Sequence, residues 1–72
     1  MGRTNTPVES VETLLSVVEF LEQSGEAGVT EIAKAVDVSK STVHNHLTTL
    51  RQRGYVVNED GRYRLGLRFL RI

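Results

Sequence analysis

Hydrogen-bond donors line one side of the segment VSKSTVHNHLTTLRQR, residues 38–53. Val43, Leu47 and Leu50 recur at helical spacing and predict the buried face of a helix. The polar residues of the opposite face are Lys40, Ser41, His44, Asn45, Thr48 and Arg51. The chain carries no carboxylate between residues 38 and 58. An ordinary solvated helix mixes glutamate with lysine, so this surface indicates a polyanion with readable edges, such as the DNA major groove.

The chemistry of each side chain predicts a role on DNA. Asn45 matches the N6 and N7 edge of adenine, and His44 can donate to guanine or to a phosphate. Thr48 offers a methyl group to thymine or a hydroxyl group to the backbone. At the helix N-terminus, free amides favour a phosphate beside Ser39, Lys40, Ser41 and Thr42. Plain solvation is the alternative interpretation for both Asn45 and His44.

The triplet His44-Asn45-His46 also raises metal binding and nuclease chemistry. Two residues apart on a helix, the histidines point about 200° away from each other. Nothing else completes a coordination sphere or a catalytic base, and the chain lacks cysteine and a glycine-rich phosphate loop. We therefore predict no metal site, no cofactor, no catalytic residue and no enzyme activity. His46 is predicted to lie hydrogen-bonded at the edge of the core.

Two helices are predicted ahead of this segment. In TPVE, residues 6–9, Thr6 can cap a helix, Pro7 suits its first position and Glu9 completes a capping box. The helix ends at Ser24-Gly25, and its main apolar stripe is Val8, Val11, Leu14, Leu15, Val18 and Leu21. Val17 and Phe20 lie off that stripe and predict a second neighbour, which we interpret as another subunit.

The remaining elements are short. Thr30 is predicted to cap a helix over residues 31–36, after the loop GEAG. Asp37-Val38 then turns the chain, Ser39 caps the third helix, and Gly54 ends it. The strands YVVN and RYRL form a hairpin through Asp60-Gly61. This order predicts a mostly α fold with a small β-hairpin, the winged helix-turn-helix of three helices and a two-stranded wing.

The wing and the chain ends complete the predicted sites. Arg62 and Arg64, on the polar side of the second strand, are predicted to contact phosphates or the minor groove, and Thr30 is a further DNA candidate. The predicted dimer interface is Val17, Phe20, Leu67 and Leu70. Residues 1–6 are predicted to be disordered, 7–65 to form the domain, and 66–72 to begin a further helix.

Charge is divided between the two halves of the chain. Residues 1–38 carry two basic and seven acidic groups, a net of −5, and residues 39–72 carry seven basic and two acidic groups, a net of +5. This asymmetry predicts one acidic and one basic surface. The chain has no membrane-spanning run or signal peptide, so we expect a soluble protein of the cytoplasm.

The segment VTEIAKAVDVSKSTVHNHLTTLRQRGYV, with GRYRLG after the wing, resembles the N-terminal domain of the IclR family of transcription regulators. The resemblance covers about residues 10–72. It implies a DNA-binding domain joined by a linker helix to a larger effector-binding domain that is absent here. It also implies a dimer or tetramer on double-stranded, palindromic operators, with a small-molecule effector bound only by the absent domain. Asn45 stands where the family usually has arginine, and His46 where it usually has leucine.

A different class of function stays open. The same fold can serve as a protein–protein interaction module, with the third helix against an acidic protein surface and the hairpin only covering the core. The two hypotheses differ in salt dependence, because each phosphate neutralised on duplex DNA contributes about −0.9 to the log–log slope of affinity against salt.

Overall fold

The structure is a computed structural model, and it describes residues 8–70. The predicted disorder of residues 1–6 and the predicted roles of Thr6 and Pro7 lie outside these residues. The elements, in chain order, are α1 (Glu9–Ser24), β1 (Ala27–Gly28), α2 (Val29–Val36), α3 (Lys40–Gln52), β2 (Val56–Glu59), β3 (Arg62–Leu65) and α4 (Leu67–Leu70). The mostly helical winged helix-turn-helix architecture is therefore confirmed.

Two helices begin elsewhere than predicted. α1 begins at Glu9, after Val8 in an extended conformation, rather than at Pro7. α2 begins at Val29, so Thr30 lies inside the helix and does not cap it. The cap is Gly28, whose N–H donates to Glu31 Oε1 at 2.9 Å. Glu31 therefore accepts the N–H group of Gly28, the residue that caps α2 in place of the predicted Thr30.

A third strand joins the predicted hairpin. Ala27 pairs with Tyr63 and Gly28 with Arg62, so β3 is the central strand of an antiparallel sheet ordered β1-β3-β2. No periodic pattern predicts β1, because a strand of two residues has too few positions to show alternation. Its consequence is that the wing is tied to the start of α2.

The predicted turns are confirmed at both ends of the hairpin. Asp60 (φ 56°) and Gly61 (φ 80°) form the tight connection between β2 and β3, which requires positive φ at both residues. α3 ends at Gln52 and is stopped by Gly54 (φ 82°), where the N–H groups of Gly54 and Tyr55 donate to the carbonyls of Arg51 and Leu50. This is a Schellman motif, and it satisfies two of the carbonyls that a helix end leaves free.

One core joins all three long helices and the sheet. Its buried members are Val17, Leu21, Ala27, Ile32, Ala33, Val43, Leu47, Leu50, Val56 and Tyr63. The predicted burial of Val43, Leu47 and Leu50 is confirmed, and this anchors α3 with its polar face outward. No helix within residues 8–70 is long and apolar enough to cross a membrane.

Val17 was wrongly predicted to lie at a dimer interface. Its side chain is 0 % exposed, and Phe20 packs half-buried against the same core. Apolar residues cover a wide part of the α1 surface, and the side that carries Val17 and Leu21 is the one buried in the core of the domain. Three residues of the predicted main stripe are left exposed instead: Val8 (62 %), Val11 (48 %) and Leu15 (50 %).

Candidate nucleic-acid interface

The polar face of α3 is open to solvent. Lys40, Ser41, His44, Asn45 and Arg51 are exposed, and Thr48 is half-buried. Neither the wing nor another helix covers His44 or Asn45, so the face could be reached by a large ligand. With no carboxylate on α3, the face presents hydrogen-bond donors beside the positive charges of Lys40 and Arg51.

The start of α3 is held by a network of hydroxyl groups. Ser39 Oγ accepts the N–H of Thr42 at 3.1 Å, and it lies 2.9 Å from Thr42 Oγ1 and 3.2 Å from Ser41 Oγ. The predicted cap at Ser39 is confirmed. Because Ser39 occupies the N–H of Thr42, the backbone amides outside this cap are those of Lys40 and Ser41, which are the ones an incoming phosphate could still use.

Thr30 lies on the first turn of α2 and is exposed. Its hydroxyl group is therefore at a helix N-terminus, the position in which it would approach a phosphate. Its role on DNA remains a prediction.

The wing arginines are paired with carboxylates. Arg62 Nη1 lies 3.2 Å from Glu31 Oε1, and Arg62 Nε lies 3.5 Å from Glu26 Oε2. Arg62 Nη2 also donates to the Glu26 carbonyl at 3.4 Å. Arg64 Nη1 donates to Glu59 Oε1 at 2.7 Å. Both arginines that the sequence predicted to contact DNA therefore form ion pairs within the domain. Contact of Arg62 or Arg64 with DNA stays a prediction.

The Arg62 cluster ties the central strand to α2. The pKa of Glu31 is lowered from its usual 4.5, first by the hydrogen bond from the Gly28 N–H and then by the positive charge of Arg62. A carboxyl group with a lowered pKa stabilises the fold above its unfolded-state pKa, and this contribution disappears as pH falls through the folded-state pKa.

We therefore expect Glu31→Gln to make the melting temperature of the domain less dependent on pH in the acid range. At neutral pH the variant should melt below the wild type, because glutamine keeps an acceptor for Gly28 but loses the charge facing Arg62. The difference should shrink as pH falls from about 4.5 into the folded-state range. Thermal melts followed by circular dichroism from about pH 7 to about pH 2.5 measure it. A difference that is constant across this range would contradict the assignment, and Glu22→Gln controls for the loss of one exposed carboxylate.

His46 lies half-buried at the edge of the core, as predicted. It borders a shallow groove between the start of α1 and α3, lined by Glu9, Ser10, Thr13, Val38, Thr42 and His46. The hydrogen bond predicted for it is not found among residues 8–70, where the described polar contacts do not include this imidazole. No three potential ligand side chains of the described residues come together as a metal-binding group.

Of the other predicted interface residues, Leu67 is 77 % exposed on α4. The side chain of Leu70 lies outside the described part of the structure. Leu67 is thus free to meet a partner, whereas Val17 is not.

Sequence reasoning missed two features. The first is the pairing of Arg62 with Glu31, which joins residues 31 positions apart and leaves no local signal. The second is a groove at the end of α3, lined by Gln52, Arg53, Tyr55 and Arg68. The basic character of residues 39–72 was visible in the sequence. That Arg53 and Arg68 line one groove, however, depends on how α4 packs.

Comparison with known proteins identifies the family. The model of the IclR helix-turn-helix domain matches residues 10–60. The chain is 41 % identical over 66 residues to the HTH-type transcriptional regulator XynR of Escherichia coli (strain K12), covering 88 % of this chain and 26 % of that protein. It is 36 % identical over 69 residues to the glycerol operon regulatory protein of Streptomyces coelicolor, covering 90 % of this chain and 27 % of that protein. The chain thus spans about a quarter of the length of these relatives.

Solved structures share the fold. An IclR transcriptional regulator from Alicyclobacillus acidocaldarius matches with a TM-score of 0.83 and 29 % identity, over 90 % of this chain and 28 % of that one. The Zα domain of Carassius auratus PKZ, solved in complex with Z-DNA, matches with a TM-score of 0.75 and 28 % identity, over 81 % of this chain and 98 % of that one. The chain therefore belongs to the IclR helix-turn-helix family of winged DNA-binding domains found in transcription regulators.

Proposed function

We propose that this chain is the sequence-specific, double-stranded DNA-binding part of a cytoplasmic IclR-type transcription regulator. α3 enters the major groove, Asn45 and His44 face base edges, and Thr48 contacts a methyl group or the backbone. The observation that carries the proposal is the uncovered, carboxylate-free face of α3. Family membership supports DNA as the ligand.

Phosphate contacts in this proposal come from the rim of the same helix. Lys40 and Arg51 supply charge without an ion-pair partner among residues 8–70. The amides at the start of α3 and the hydroxyl group of Thr30 add uncharged contacts. The wing approaches the backbone only if DNA draws Arg62 or Arg64 away from its carboxylate.

Selection of bound duplexes from a random pool, followed by titration over a salt series, tests the proposal. We expect one enriched motif and a log–log salt slope at least as steep as about −1.8, the contribution of two phosphates neutralised by Lys40 and Arg51. No enriched motif and a flat slope would instead favour a protein–protein interaction module. A left-handed duplex is a useful comparison, because the major-groove mode requires right-handed DNA and should not survive the change.

The proposed form on DNA is a homodimer on a palindromic operator, with any effector bound by another part of the full-length regulator. Three exposed apolar residues lie at the start of α1: Val8 directly precedes the helix, and Val11 and Leu15 lie one turn apart on one side of it. A contiguous apolar helix stripe that the domain's own core leaves open is suited to burial against the same stripe of a second copy.

We expect Leu15→Glu to abolish cooperative binding to a palindromic duplex, because it buries a carboxylate within that stripe. Binding to an isolated half-site should be unchanged, since Leu15 is half exposed and does not belong to the predicted DNA-contacting residues. Electrophoretic mobility shifts on the two duplexes measure both quantities. Undiminished cooperativity would exclude this face of α1.

A further inference from the structure

A groove opens where the end of α3 meets β2 and α4. It has a volume of about 480 Å³ and is lined by Gln52, Arg53, Tyr55 and Arg68. Neither arginine pairs with a carboxylate of residues 8–70. We propose that this groove binds a phosphate of the DNA strand that borders the major groove. The inference rests on the proposed function of α3 and adds a contact to it.

Aromatic stacking holds one of the two cations in place. The guanidinium carbon of Arg68 lies 5.6 Å from the centroid of the Tyr55 ring, and that ring lies 4.8 Å from the ring of Phe69. A guanidinium stacked on an aromatic face loses little further freedom on binding, and its N–H edge stays available for bidentate contact with a phosphate.

The start of α4 is fixed against the end of α3. The Gly66 N–H donates to the Tyr55 carbonyl at 2.7 Å. A Cβ at Gly66 would lie 3.0 Å from the Gly54 carbonyl oxygen, so any other residue would require the backbone here to shift by a few tenths of an ångström. The close packing places Arg68 over Tyr55 and thus brings two arginines 15 positions apart into one groove.

The groove lies where a bordering phosphate is expected. Gln52 follows Asn45 by seven residues, so it shares the same side of α3, displaced by about 10 Å along the helix axis. The major groove is about 12 Å wide. If Asn45 reads a base inside the groove, the end of α3 reaches its edge, where the backbone runs.

The helix dipole opposes an anion at this end of α3, but it is the weaker effect. A helix C-terminus is equivalent to about half a negative charge. The carbonyls of Arg51 and Leu50 are already occupied by the N–H groups of Gly54 and Tyr55, at 3.0 and 2.8 Å. Two whole positive charges from Arg53 and Arg68 outweigh that fraction, and residues 38–58 contain no carboxylate to compensate them.

Charge-removal variants of the full chain test the site. Arg53→Gln and Arg68→Gln should each reduce the magnitude of the salt slope, and the double variant should reduce it by about 0.9, the contribution of one neutralised phosphate. The loss of affinity should be equal on selected and scrambled duplexes, because a phosphate carries no sequence. Arg68→Lys keeps the charge and should keep most of the slope. Glu22→Gln changes the net charge by one unit on α1 and should leave the slope unchanged.

Duplex length provides a second test. Trimming the duplex to the edge of the selected motif should weaken the wild type while leaving the double variant nearly unaffected, so that the two converge. Circular dichroism confirms that the Gln variants fold. A wild-type slope in the folded double variant would overturn this inference while leaving the proposed function intact. A wild type that binds no duplex would overturn the proposed function first, and this contact with it.

Inorganic phosphate distinguishes the two sources of the ligand. A titration followed by the amide signals of Gly54 and Tyr55 should give weak shifts that do not saturate, since a single free phosphate lacks the neighbouring contacts of DNA. Saturable binding of inorganic phosphate, together with an unchanged DNA slope in the double variant, would assign the groove to a free anion and overturn the proposal.

Discussion

Asn45→Ala loses part of the wild type's preference for the selected operator over an unrelated duplex; this is the largest functional effect that we expect from one substitution. A bidentate contact between asparagine and adenine discriminates by about 1–3 kcal/mol, so specificity should fall about 5- to 150-fold. Affinity for unrelated DNA and the salt slope should be retained, because Asn45 carries no charge. Alanine is also the better helix former, so the fold should be preserved.

Competition titrations with operator and scrambled duplexes measure this ratio. Thr49→Ala is the matched control, since Thr49 is exposed on the same helix but lies outside the predicted DNA-contacting set. Its specificity should equal that of the wild type. If Asn45→Ala instead weakens binding to all sequences by the same factor, Asn45 contacts the backbone and the base-reading role is wrong.

Leu47→Ala should destabilise the domain more than any surface change. Leu47 is 0 % exposed at the centre of the buried side of α3. Removing a fully buried leucine side chain costs about 2–5 kcal/mol. A domain of 72 residues has a free energy of unfolding of about 4–11 kcal/mol, so this single change removes a large share of it. DNA binding should fall in parallel with the folded fraction.

Urea unfolding followed by circular dichroism measures the loss. Leu15→Ala makes the same chemical change on α1 at a side chain that is half exposed, and about 1 kcal/mol or less is expected there. Equal losses for the two variants would mean that the core does not centre on α3. Because Leu15 belongs to the stripe proposed for dimerisation, comparing the two variants also distinguishes a loss of domain stability from a loss of contact between subunits.

Local sequence was sufficient for most of the α3 region. Ser39 predicted the cap, Gly54 the helix end, and Asp60-Gly61 the hairpin connection, and all three are confirmed. Each depends on the conformational preference of one or two residues and on hydrogen bonds to near neighbours. The periodicity of Val43, Leu47 and Leu50 likewise predicted which side of α3 is buried, because only one stripe of that helix is apolar.

α1 shows where this reasoning ends. Its apolar residues cover more than half of the helix circumference, so a helical wheel permits several inward faces. The helical wheel predicted a buried stripe from Val8 to Leu21; the fold buries Leu21 of that stripe, but it buries Val17 beside it and leaves Val8, Val11 and Leu15 exposed. The choice depends on the shapes that α2, α3 and the sheet present to α1, and no pattern within residues 9–24 encodes those shapes.

The sequence by itself determined the order of the helices, the turn positions and the donor-rich, carboxylate-free face of α3. These features follow from interactions between residues close together in the chain. Tertiary structure alone decided the charge of the wing and the position of the unpaired cations. It pairs Arg62 with Glu26 and Glu31, and it brings Arg68 beside Arg53 through the packing of α4 on Tyr55. Such pairings depend on distances in space, which the spacing of residues along the chain does not contain.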